Sequence, residues 1–248
     1  MVTGLAPGQG LVHLDRVTLR DVDFRKVSFD TFVPLGCTFE ACDFRDTVFD
    51  RRLVPLFAAH PRSLFRACHF DGADLRRAPP GQSRFEACTF DGARLDEWTV
   101  TAAEFVDCRF AGLLTGVVFH GKPSFKAGGV AEELDTPRTA NEFRGNDFRG
   151  ADLVECAFIR GIDLRLQRWP EDDRYVRLDR FQQRLVRGRT EILGWRDLAA
   201  RGQALDLLQA ASFLYREQVE VIARRVEERS PIPHDVQRRM WETLASVL

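Results

Sequence analysis

The sequence predicts a mainly β solenoid over residues 1–165, a parallel β-helix coiled in four sides, followed by an α-helical bundle or cap over residues 166–248. Three observations predict it. A Phe or Leu recurs at almost every fifth position from Leu14 to Leu164. A longer period of twenty overlies the short one, and after Leu164 the fivefold series gives way to helical spacing. A period of five is neither the 2 of a strand nor the 3.6 of a helix, so short extended pieces must alternate with turns.

The first run of anchors is Leu14, Leu19, Phe24, Phe29, Phe39, Phe44 and Phe49, with Pro34 in one slot. The second is Phe65, Phe70, Leu75, Phe85, Phe90, Leu95, Val100, Phe105 and Phe110, and the third is Phe143, Phe148, Leu153 and Phe158. Two residues before each anchor lies a smaller inward slot, because positions two apart on an extended segment share a face. Val12, Val17, Val22 and Val27 fill it first, and Ala73, Ala78, Ala93 and Ala103 later. All six cysteines fall there: Cys37, Cys42, Cys68, Cys88, Cys108 and Cys156. That register, with no Cys-x-x-Cys pair, points to apolar packing rather than disulfides or metal.

Segments 62–81 and 82–101 share nine identical positions in twenty. Twenty is four units of five, so the simplest geometry is a four-sided coil, each turn resting on the last at ~4.8 Å. The anchor phase slips twice, which places insertions or deletions near 50–63 and within 111–140. Phe125 keeps the phase of the second run, so one more coil is expected before the chain departs at Gly128–Gly129. The two loops are either functional projections or tolerated insertions.

Beyond residue 165, helices are expected at about 174–187, 190–201, 203–229 and 234–247, with Asp235 as cap of the last. The third carries an apolar stripe of Leu205, Leu208, Ala211, Leu214, Val219, Ile222 and Val226. Trp195 and Trp241 are expected in the core. The bundle either covers the open end of the coil, where backbone would otherwise be unpaired, or supplies a homodimer contact.

The units ADLRR (73–77), ARLDE (93–97), CDFRD (42–46), NDFRG (146–150) and ADLVE (151–155) resemble those of the pentapeptide repeat proteins, over roughly residues 12–165. The resemblance implies a right-handed, quadrilateral parallel β-helix with Phe and Leu ladders inside. It also implies a candidate role, since some members protect DNA gyrase and related topoisomerases from inhibitors such as quinolones. Their proposed device is a rod with a negative surface that resembles duplex DNA. The large helical C-terminal part sets this sequence apart from that group.

Composition restrains the reading. Net charge is −1, which argues against direct nucleic-acid binding by bulk charge. Residues 1–165 hold 24 Asp plus Glu and 21 Lys plus Arg, a net of −3, and residues 166–248 hold 13 and 15, a net of +2. Whole-surface DNA mimicry asks for far more acid. No signal peptide or membrane-length apolar run is visible, so a cytoplasmic protein is expected. None of the five histidines sits in a metal or catalytic motif, and no phosphate-binding Gly loop occurs. The expectation is a protein without enzymatic activity, cofactor or metal, acting through a protein partner. A generic scaffold and an activity in the helical part are the alternatives.

The candidate interaction face is Asp30, Asp50, Asp71 and Asp91, each following an anchor, at spacings of 20, 21 and 20. With a one-residue insertion at the first slip they form one Asp column beside an Arg column of Arg25, Arg45 and Arg66. Either the Arg residues neutralise the column, or the column is an acidic stripe for a basic partner.

Overall fold

The computed structural model describes residues 11–49, 61–76, 78–123 and 138–248. Its first two thirds are parallel strands of two to eight residues, stacked coil on coil on four sides. On the Leu19 side six strands form one sheet: Thr18–Arg20, Thr38–Glu40, Leu64–Arg66, Arg84–Glu86, Glu104–Val106 and Phe143–Arg144. The Phe24 side runs as bridges Asp23–Asp43–His69–Thr89, then as strands Thr89–Asp91, Arg109–Thr115 and Asp147–Val154. The Leu14 side pairs Leu11–Asp15 with Thr31–Leu35 and, further along, Thr99–Val100 with Val118–His120 and Ala157–Ile159. The Phe29 side pairs Ser28–Phe29 with Val48–Phe49 and continues through Val48–Asp74–Arg94.

Identical anchors meet because the coil repeats. Phe39, Phe65, Phe85 and Phe105 stack at ring separations of 4.6, 5.1 and 4.9 Å. Phe24, Phe44, Phe70, Phe90, Phe110 and Phe148 form a second column, and Trp169 closes it 5.1 Å from Phe148. Neighbouring columns touch edge to face, as Phe85 does with Phe90, the arrangement that ring quadrupoles favour. Cys42, Cys68, Cys88 and Cys108 stack beside them as buried free thiols. The thiols of Cys68, Cys88 and Cys108 donate to the carbonyls of Phe39, Phe65 and Phe85 at 3.4–3.5 Å, and burial pushes the Cys88 thiol well up. The column then changes chemistry. Asn146 Oδ1 accepts from the Cys108 amide at 3.0 Å, and Gln167 Oε1 accepts from the Asn146 amide at 3.1 Å. Their side-chain amides donate to Phe105 and Phe143 carbonyls, so no buried polar atom of the pair is stranded.

Both phase slips have definite sizes. Phe39 pairs with Phe65, so that coil takes 26 residues instead of 20 and carries an insertion of six, not one. Residues 50–60, including Asp50, lie outside the described set. The second slip has two parts: a residue is lost between Phe110 and Leu114, where the register shifts between Arg109 and Ala111, and Phe105 pairs with Phe143, so that coil takes 38 residues instead of 20. Gly112 takes up the corner at φ +81, with the Gly92 backbone 3.2 Å from where its Cβ would stand. Phe119 then occupies the anchor slot on Phe158 at 5.2 Å, a place the fivefold phase had not given it. The expected anchor Phe125 lies outside the described residues.

Beyond residue 165 the four-helix expectation is corrected. Among the described residues there are three α-helices, α1 (Phe181–Leu193), α2 (Leu198–Leu214) and α3 (His234–Ser246), and an antiparallel ribbon of Tyr175–Leu178 with Val221–Arg224. The ribbon forms because it is a wall between two cores. Tyr175 and Ile222 join the solenoid core, whereas Val176, Leu178, Val221 and Ala223 join the helical one. Only a period of two serves both sides, so the stripe read over 203–229 stops at Leu214. Asp197 caps α2 by accepting from Ala199 and Ala200 amides at 2.9 and 3.0 Å, as N-caps do. Asp235 is not a cap: it lies in the first turn of α3, with Pro233 at the cap position. Arg184 ties α1 to α3 by donating to the Leu244 and Ala245 carbonyls at 2.9 Å each. Trp195 and Trp241 are buried. The Tyr175 hydroxyl donates to Asp152 and accepts from the Leu153 amide at 2.9 and 2.8 Å, so this segment closes the last coil.

Candidate interaction surface

With the interior filled by Phe, Leu, Ala and Cys, the outward positions carry the recognisable chemistry. They follow a local rule. In Asp-x-Arg units the anchor is the middle residue, so Asp and Arg both point outward on one strand. Arg25 closes on Asp23 through Nη2 and Nε at 2.6 and 2.9 Å, and Arg45 does the same to Asp43. Asp74–Arg76, Asp147–Arg149 and Asp163–Arg165 repeat the pairing at 2.6–2.7 Å, and Asp172–Arg174 pair at 2.9 Å across the exposed Asp173, outside the rule. The Arg25 guanidinium holds the Asp23 carboxyl down at about 2. These forks are the charge-assisted geometry that planar guanidinium groups favour.

The Leu19 side neutralises itself differently, by alternation from coil to coil. Arg20 meets Glu40 at 2.7 Å, Glu40 meets Arg66 at 3.6 Å, and Arg66 meets Glu86 at 2.9 Å. Arg84 then gathers Glu86, Glu104 and Glu142 at 2.6, 2.8 and 2.7 Å. Burial pulls the Arg84 guanidinium down, and its three carboxylates outweigh that and leave it raised. Arg66, expected beside an Asp column, belongs to this alternating ladder.

The single Asp column is therefore corrected. The six-residue insertion carries Phe70 onto Phe44, not Phe49. The Lys26 amide donates to the Arg45 carbonyl, the Asp46 amide to Asp71, and the Gly72 amide to Asp91, at 2.8–3.0 Å. Asp71 and Asp91 thus continue the column of Arg25 and Arg45. Asp30 follows Phe29 on the next side, whose stack runs through Phe49, and Asp50 lies outside the described residues. Arg25 and Arg45 spend their guanidinium groups on Asp23 and Asp43, residues the sequence reading had not singled out.

What remains is an acidic step of two coils. The Asp91 amide donates to Asp71 Oδ1 at 2.8 Å, which lets two carboxylates stack. Among the described residues Asp71 has no ion pair within 4.0 Å, and Asp91 meets only Arg109, at 3.4 Å. Asp46 lies over the corner glycine below: a Cβ on Gly72 would collide with its carboxylate. Asp46, Asp71 and Asp91 therefore crowd one corner, with Lys26 and Arg45 at one end, uncharged Ala111 and Gly112 at the other, and Arg109 beside Asp91. Among the described residues no cluster of His, Cys, Asp and Glu is arranged to hold a metal ion, and no helix is long and apolar enough to cross a membrane.

No family model matches the chain, and no curated protein matches it. Solved structures of QnrB1, a plasmid-mediated fluoroquinolone resistance protein, are similar to it. One trypsin-treated form is 14% identical, with 62% of this chain and 79% of that chain covered and a TM-score of 0.39. The full-length form is 16% identical over 63% of this chain and 81% of that chain, with a TM-score of 0.35. A second trypsin-treated form is 14% identical over 73% and 96%, with a TM-score of 0.28. The fold described above rests on its own registers, not on these likenesses.

Proposed function

We propose that the chain is a non-catalytic protein-binding rod whose acidic step at Asp46, Asp71 and Asp91 meets a basic patch on a partner protein. The observation that supports this reading is the contrast between neighbouring columns. On the other described columns stacked charges alternate, carry their own Arg fork or share an Arg as Glu104 and Glu142 share Arg84, which leaves little net field for a partner. At Asp71 and Asp91 two coils in succession present carboxylates. Like charges that close cost stability unless relieved, and a basic partner relieves them further. The contact is local, because residues 1–165 carry a net of only −3.

The most specific form of this reading is binding and protection of DNA gyrase or a related type II topoisomerase in the cytoplasm, the role implied by the proteins that the repeat resembles. A supercoiling assay with gyrase, with and without a fluoroquinolone, tests it using the full chain. Restored supercoiling in the presence of the drug is the expected result. No effect at micromolar protein would remove the topoisomerase form and leave a scaffold for another partner.

A further inference from the structure

Where α2 and α3 pack on the last coil, a cavity of about 230 Å³ opens beside the ribbon. Its apolar walls are Ala157 from the coil, Leu207, Ala211 and Leu214 from α2, and Trp241 from α3. Polar groups line the rest, among them Glu155, Arg224, Ser230 and Gln237, and two of them matter most here. Tyr215 is buried at the end of α2, and Glu227 reaches in from the segment after the ribbon. Glu227 Oε2 is buried and has no hydrogen-bond partner among the described residues. A carboxylate oxygen left so is costly, and buried polar atoms nearly always have partners. A charged N–H donor entering the cavity would pair that oxygen.

We propose that this cavity binds a small organic ammonium ion, with its apolar body against Leu207, Leu214 and Trp241 and its N–H donating to Glu227 Oε2. The chemistry is selective. An anion meets Glu227 with like charge, and a neutral alcohol supplies a weaker, uncharged donor. An aromatic lining suits a cation as well, since ring faces attract ammonium groups. Tyr215 cannot balance the charge in either protonation state, and burial pushes its phenol well up so that it stays neutral. The site is independent of the acidic step on the coil.

Protonation of Glu227 opposes the ligand. Burial raises its carboxyl to about 7, helped by Glu155 and Asp152, while the Glu155 amide and Arg224 act the other way. Arg224 is itself held by Asp152, Arg229 faces Glu155 at 3.5 Å, and Cys156 stays a thiol because burial pushes it up to about 12. From α3 the neighbouring polar group is Gln237, engaged with the Glu227 backbone at 2.8 and 3.2 Å. Ammonium binding accordingly strengthens as pH rises through neutrality, by about tenfold between pH 6 and pH 8.

Calorimetric titration of the full chain with cyclohexylammonium and with cyclohexanol tests the site. Saturable binding of the amine, at least about tenfold tighter than the alcohol, is expected. Glu227→Gln should erase that preference and flatten the pH profile while leaving the alcohol's affinity in place. Ala210→Trp, at an exposed α2 position on the rim, should weaken both probes by obstructing the mouth. The absence of saturable amine binding, equal affinity for amine and alcohol, or unchanged amine affinity in either variant would overturn the assignment.

Discussion

Phe85→Ala is expected to cost about 3–5 kcal/mol of folding stability, the range for truncating a fully buried Phe. Phe85 is 1% exposed and lies between Phe65 and Phe105 at 5.1 and 4.9 Å. It also meets Phe70 and Phe90 edge to face. The cavity left behind cannot collapse readily, since the strand carrying it is hydrogen-bonded to a coil on each side. In a stacked fold each coil bears mainly on its neighbours, so the loss falls on the 65–85–105 interfaces. Urea unfolding should report it, and a loss below about 1 kcal/mol would mean that the column does not pack as described.

Glu104→Gln is expected to cost about 1–3 kcal/mol, because a buried carboxylate shared by three Arg side chains is lost while Arg84 keeps Glu86 and Glu142. The Glu104 side chain is 7% exposed and serves Arg62 at 2.9 Å, Arg84 at 2.8 Å and Arg138 at 3.6 Å. Arg138 Nη2 also donates to the Ala102 carbonyl, so it cannot swing freely into water. Arg84→Met in the Glu104→Gln background is expected to cost less than the two single costs added, since the two residues share one ion pair at 2.8 Å. Denaturation of the four proteins of this cycle measures the coupling, and strict additivity would show that the cluster is not a unit.

The fivefold phase places the Phe columns of the Leu19 and Phe24 sides and the thiol stack, but not Phe119, which stacks on Phe158 after a lost residue has shifted the phase. Its limit was arithmetic. Phase read in steps of five cannot separate an insertion of one residue from an insertion of six, and the choice of one put Asp71 under Asp50. Pairing of Phe39 with Phe65 decides for six, and the acidic face shrinks to Asp46, Asp71 and Asp91. The Asp-x-Arg forks were visible as text in CDFRD and NDFRG, but their pairing depends on both side chains flanking one inward anchor. The ribbon was hidden for another reason. Val221, Ile222 and Ala223 are all buried, and a short apolar run reads alike as helix or strand until both cores that it separates are known. Glu227 gave no signal, because its isolation comes from Ala157, Tyr215 and Trp241, which are remote in sequence.

The central claim is that recognition rests on the acidic step at Asp46, Asp71 and Asp91, where two described coils in succession present carboxylates. Equilibrium titration of purified gyrase with the wild-type chain and with Asp71→Lys/Asp91→Lys tests it directly, beside a control that exchanges the Arg20 and Glu40 pair for each other. The account predicts at least about tenfold weaker binding for the double reversal, mainly through desolvated charge contacts, and unchanged binding for the control. Affinity equal to wild type in the double reversal, or an equal loss in the control, would contradict it.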